Sequence, residues 1–141
     1  MRDPRAICEG NIRRNCYAVE EIANHCSKAM DVMIKDANEL PNFYLFKYED
    51  IIDNPEKALE NIYAVCNLDL SDLEWVRMVT KNVVGHNLVP EGQKLIWYKK
   101  NDFWQHFVTD ANKNQIERLT DFQRELIEDV CRTQMTALNY Q

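Results

Sequence analysis

Phe43-Tyr44-Leu45-Phe46-Lys47-Tyr48 follows Pro41-Asn42 as a short, aromatic, almost uniformly apolar run of strand length. Its composition reads as a buried β-strand. Such a strand carries backbone N–H and C=O groups that need partners, and an open apolar edge invites aggregation. No second convincing strand is evident in the rest of the sequence. The expectation is therefore an α/β domain of which this chain forms part. The chain itself is mostly helical with one or two short strands and begins partway through the domain.

Working outward, Val19, Ile22, Ala23, Cys26, Met30, Met33, Ile34 and Ala37 recur at three- and four-residue steps between Tyr17 and Leu40. That spacing predicts one amphipathic helix ending at Pro41. On the other side, Asn54-Pro55 supplies an N-cap and a proline at the first helical position, ahead of Ala58, Leu59, Ile62, Tyr63 and Cys66. Cys66 lies on the apolar face of this second helix and is read as a free core thiol. Ser71 with Glu74 makes a capping box before Trp75, Val76 and Val79, which predicts a further helix. Residues 82–115 hold two of the three glycines and no sustained period, and read as a long irregular segment. Thr120 and Gln123 form another capping box, followed by the stripe Leu126, Ile127, Val130, Cys131, Met135 and Leu138.

The composition of the 141 residues, 45% hydrophobic and 28% charged, is that of an ordinary globular domain. A net charge of -6 argues against general nucleic-acid binding, which rests on clustered Lys and Arg. Any anion site must be local, and Arg2, Arg5, Arg13 and Arg14 at the start are the place for it; a solvated helix face is the other reading. No window reaches the roughly 18 apolar residues a membrane span needs, and residues 1–10 are too charged for the apolar region of a signal peptide.

Arg2-Asp3-Pro4-Arg5-Ala6, then Lys47-Tyr48-Glu49-Asp50-Ile51 with Asn54-Pro55-Glu56, then Val130-Cys131-Arg132 to Leu138-Asn139-Tyr140, occur in one order along nearly the whole chain. In that order the chain resembles the sulfotransferases that use 3'-phosphoadenosine 5'-phosphosulfate (PAPS), most of all the Golgi enzymes that sulfate carbohydrate hydroxyls. The resemblance implies a single partial domain over residues 1–141. It is the C-terminal part of a P-loop-like sulfotransferase domain, a parallel sheet with flanking helices, from which the N-terminal phosphosulfate-binding half is absent. It implies that Arg2 leaves the end of a strand and grips the 3'-phosphate of PAPS, a role suited to the fixed donor fork of a guanidinium. Gly10 stands where the family has a serine whose hydroxyl bonds the same phosphate. Trp104, in Asp102-Phe103-Trp104-Gln105-His106, stands where the family has a cleft-wall tryptophan, with Gln105 replacing a basic neighbour. Tyr48, Glu49 and Asp50 take an architectural role.

The glycines at 10, 85 and 92 lie in no strand-loop-helix context with a following Lys and Ser or Thr. The loop that cradles the 5'-phosphosulfate, and the general base, belong upstream in the family, so no catalytic residue is assigned and the chain alone is expected to be inactive. By resemblance the parent protein is membrane-anchored in the Golgi lumen with a glycan as its acceptor, and this segment itself contacts neither nucleic acid nor membrane.

The five cysteines, Cys8, Cys16, Cys26, Cys66 and Cys131, match no common zinc spacing, and adjacent His25 and Cys26 diverge by about 100° on a helix, so no metal is expected. His86 and His106 read as solvated loop histidines. In the oxidising lumen that the resemblance implies, Cys16 and Cys26 are a candidate disulfide if the helix starts after Tyr17. Two function classes follow: a segment of a carbohydrate sulfotransferase, or a shortened noncatalytic relative serving as an interaction module.

Overall fold

The computed structural model describes residues 1–15, 17–78, 96–102 and 109–140. The chain is mostly helical and divides into two compact units, Met1–Asn54 with Val108–Gln141, and Pro55–Phe107.

The first unit begins with α1 (Pro4–Asn15). Pro4 occupies the first helical position, where its missing N–H costs nothing, and the Asp3 carboxylate accepts from the Arg5 N–H at 2.8 Å as the cap. Next comes α2 (Val19–Glu39), the helix expected from the periodicity. It stops at Leu40, whose extended backbone is what a residue before proline adopts. Residues 43–47 are extended and lead into α3 (Tyr48–Asp53).

The expected buried strand is corrected here. Residues 43–47 form no ladder, and none of their side chains is buried. Their main-chain partner is Met1: its amino group donates to the Phe46 carbonyl at 2.7 Å, and the Tyr48 N–H donates to the Met1 carbonyl at 2.6 Å. One residue bridging two positions on its neighbour in this way is the bonding pattern of a parallel pair. A single bridged residue is too little to make a strand.

The second unit holds α4 (Pro55–Val65), which starts at the proline as its sequence dictates. Cys66 follows the helix in a turn and is exposed, so it is no core thiol; the apolar stripe ends one residue too soon to carry it inward. The Ser71–Glu74 capping box does not form. Asp69 instead accepts from the Ser71 N–H at 2.8 Å and caps a single 3-10 turn, Leu70–Asp72. The predicted helix beyond it is the strand β1 (Trp75–Met78), paired antiparallel with β2 (Ile96–Lys99) in the register Trp75↔Lys99 and Arg77↔Trp97. A Trp-Val start suits a pleated ladder as well as a helix, and the pairing with β2 decides between them. β2 also corrects the irregular reading of 82–115, as does α5 (Ala111–Ile116) in the first unit.

The first unit closes with α6 (Asp121–Val130) and α7 (Arg132–Ala137), separated by Cys131. The Thr120–Gln123 capping box is complete, with Gln123 N–H to Thr120 Oγ1 at 3.2 Å and Thr120 N–H to Gln123 Oε1 at 3.0 Å. Helices α1, α2, α6 and α7 enclose a core of Cys8, Ile22, Ala23, Cys26, Met30, Leu119, Ile127, Cys131 and Met135. Met30 and Ile127 have no exposed surface, and burying such side chains stabilises by about 1.5–3 kcal/mol each.

Candidate functional site

Arg2 precedes α1 and is half-buried. Its neighbour Asp3 is taken: Arg5 holds both Asp3 oxygens, Nη2 to Oδ2 at 2.8 Å and Nε to Oδ1 at 3.1 Å, and reaches Glu128 at 2.9 Å. The hydrogen bond to Asp3, ahead of the opposing effect of burial, holds the Arg5 guanidinium above its ordinary pKa. Among the described residues no carboxylate pairs with Arg2. Its guanidinium instead stacks 4.9 Å from the Tyr48 ring centroid and donates to two amide oxygens, Asn112 Oδ1 at 2.5 Å and Gln115 Oε1. Asn112 and Gln115 are three apart on α5, a spacing that puts both on one helix face.

Gly10 lies within α1 and is buried. A Cβ there would meet Gln115 Nε2 at 3.3 Å and Arg14 Nη2 at 3.8 Å. The Gln115 amide therefore fills the room a side chain at position 10 would take, while its Nε2 donates to Glu9 Oε2 at 3.1 Å. The same side chain thus touches both Arg2 and the Gly10 face, and the two residues singled out in the sequence share one neighbour. Trp104 lies outside the described residues, as do Gln105, His86, His106 and Cys16. α2 does start after Tyr17, at Val19, but Cys26 is a free thiol, so the candidate Cys16–Cys26 disulfide is not formed.

Glu49 fastens the cluster. Its Oε1 accepts from the Asp3 N–H at 2.9 Å and from Asn112 Nδ2, and its Oε2 from the Tyr140 hydroxyl at 3.0 Å. One carboxylate thereby joins the start of α1, α3, α5 and the segment after α7. Burial, then the Glu49 charge, raises the Tyr140 pKa, so the phenol stays a donor to that carboxylate. Lys47 Nζ sits 4.5 Å from the Tyr140 ring centroid and donates to the Leu138 carbonyl at 3.0 Å. The architectural role read for Glu49 is what these bonds perform.

The sequence reading missed Asn112 and Gln115, because it placed them at the end of an irregular segment. Two amide side chains three residues apart were the available signal. Chemically the cluster is a fixed cation whose donors are aimed at two neutral amide oxygens, the amides in turn donating to Glu49 and Glu9. Among the described residues no group of three or more His, Cys, Asp or Glu is arranged to hold a metal ion. No helix of the described residues is long and apolar enough to cross a membrane. No protein-family model matches the chain, and neither does any curated protein or any solved structure.

Proposed function

We propose that this chain is the C-terminal part of a PAPS-dependent carbohydrate sulfotransferase domain, in which Arg2 holds the 3'-phosphate of the donor. The observation that carries the reading is the state of Arg2: a half-buried guanidinium with no carboxylate partner among the described residues, held at the start of α1 beside Gly10. The parallel bonding of Met1 to Phe46 and Tyr48 supports the same reading, since a residue leaving a parallel strand for α1 is what the family's phosphate-binding segment requires. In the parent enzyme an acceptor hydroxyl oxygen bonds to the sulfur as the bond from sulfur to the phosphate oxygen breaks. The sulfate moves to the sugar and 3'-phosphoadenosine 5'-phosphate departs. On this reading the chain supplies one of the two phosphate clamps for that reaction.

A second reading, a shortened noncatalytic relative, is favoured by one observation. Gln115 fills the Gly10 site and takes a donor of Arg2, occupying both contacts that a 3'-phosphate would use. The two readings part on the protein encoded by the full transcript, assayed for transfer of radiolabelled sulfate from PAPS to glycans. Transfer is expected, with Arg2→Ala weakening binding of the bisphosphate product by at least about tenfold, the loss of one charge-assisted bond. Absence of both transfer and product binding overturns the sulfotransferase reading in favour of the noncatalytic one.

A further inference from the structure

Three cysteines from three parts of the first unit meet in its core. Cys8 and Cys131 have no exposed surface, and Cys26 has 8%. The Cys26 side chain packs in one core cluster with both of the others. Cys131 Sγ also donates to the Ala23 carbonyl at 3.6 Å, one turn before Cys26 on α2, and Cys26 Sγ lies 3.8 Å from Met30 Sδ. All are free thiols. They do not close around a metal: no group of three candidate ligands among the described residues has the necessary arrangement.

Cys26 differs from its neighbours in access. It lines a groove of about 550 Å³ together with Ile7, Asn11, Tyr17, Glu21 and His25, and Tyr17 at its rim is 60% exposed. A small reagent entering this groove reaches one sulfur of the cluster, behind which the other two lie buried.

We propose that Cys26 and Cys131 are a disulfide-forming pair in the folded protein, oxidised by a small disulfide of the glutathione class that enters through the Cys26 groove. The Cys26 thiolate attacks one sulfur of oxidised glutathione, forming a mixed disulfide and releasing one glutathione thiolate. The Cys131 thiolate then attacks Cys26 Sγ, and the second glutathione leaves. Two protein thiols are oxidised, one glutathione disulfide is reduced to two thiols, and the two protons pass to the departing thiolates.

The order of attack follows from the environments. A hydrogen bond from Cys131 pulls the Cys26 pKa down, but contact with Cys8 and burial outweigh it and hold the thiol up to about 12. Cys131 is raised further, first by its bond to Cys26 and then by burial. Cys26 is the more reachable of the pair, so it attacks first. Both remain protonated near neutral pH, so the exchange is slow. Its product ties α2 to the junction of α6 and α7, closing a loop of about 100 residues.

The whole chain incubated with oxidised glutathione, alkylated and mapped by non-reducing mass spectrometry tests this. A Cys26–Cys131 cross-linked peptide is expected, with a rise in Tm of about 10 °C that dithiothreitol reverses. Cys66→Ser, which removes an exposed thiol of the second unit, leaves the cross-link unchanged, and Cys26→Ser abolishes both the cross-link and glutathionylation of the core. A map in which all three core thiols stay alkylatable overturns the proposal. So does a Cys8–Cys26 or Cys16 linkage, or a cross-link that forms only in denaturant. Because the wild-type map decides, a variant that fails to fold does not shelter the idea.

Discussion

Helix α2 and residues 43–47 are both rich in apolar side chains and lie four residues apart in the chain, yet their fates differ. α2 satisfies its own backbone and needs neighbours only for one face. α1, α6 and α7 supply them, leaving Ala23 and Met30 with no exposed surface. Residues 43–47 have no such independence. An extended segment must borrow its hydrogen bonds from another strand, and among the described residues it has, beyond local bonds such as Phe43 N–H to Leu40 of the preceding turn, only the bridge to Met1. With one bridged residue the aromatic run stays half-exposed, and Tyr44 is 49% exposed. Apolar content sets what a segment can bury; backbone bookkeeping sets whether it does.

The largest effect expected from this contrast is in the core. Ile127→Ala, at a fully enclosed site, should cost about 2–5 kcal/mol in denaturant unfolding, whereas Leu45→Ala, on the half-exposed segment, should cost below about 1 kcal/mol. Equal losses would break the comparison, showing that the extended run is packed as tightly as α2.

A smaller effect belongs to the Glu49 cluster, just beyond the extended run. Glu49 accepts from three donors, so Glu49→Ala should cost about 2–3 kcal/mol, while Tyr140→Phe removes one neutral donor and should cost about 1 kcal/mol. The phenol adds a pH signature. Its folded pKa is raised above the ordinary value of about 10, so the unfolded chain loses this proton first. The stability it contributes is complete below about pH 10 and is lost as the pH rises through the folded value. Unfolding midpoints measured from pH 8 to 11 should fall less steeply in Tyr140→Phe than in the wild type. Identical slopes would mean that the phenol is not the buried donor described.

What could be read from the sequence follows the same division. The limits of α2, the proline start of α4 and the Thr120 capping box rest on interactions within a few residues, and the structure has them where the sequence puts them. Apart from the Ser71–Glu74 box, displaced by the nearby Asp69, and the exposed Cys66, the failures are elements whose state depends on distant residues. Trp75–Met78 is a strand because β2, about twenty residues on, pairs with it. Residues 43–47 form no ladder, and among the described residues the bridge to Met1 is their one distant main-chain contact. Arg2 and Gly10 were legible as a pair through a motif near the start, but the amides that join them come from α5, more than a hundred residues along the chain. The three-residue spacing of Asn112 and Gln115 puts them on one helix face but does not say what that face meets.

The finest test falls on that junction. Gly10→Ser places a Cβ 3.3 Å from Gln115 Nε2, a contact tight enough that the amide must move, and the move strains its bond to Glu9. Against this, serine is a better helix residue than glycine by about 0.5 kcal/mol, and the lost bond is worth about 1 kcal/mol, so the net change in stability should be a loss near 0.5 kcal/mol. Gln115→Ala removes the obstacle. Combined with it, Gly10→Ser should turn from slightly destabilising to slightly stabilising, a coupling of about 0.5–1 kcal/mol in a double-mutant cycle. Strict additivity would mean that Gln115 does not occupy the Gly10 space. On the sulfotransferase reading proposed above, the same substitution would restore the hydroxyl that the resembled family uses on the 3'-phosphate. Gly10→Ser with Gln115→Ala should therefore bind the bisphosphate product more tightly than Gln115→Ala alone. If the coupling appears and the gain in binding does not, Gly10 faces α5 as described, but the phosphate assigned to Arg2 lies elsewhere.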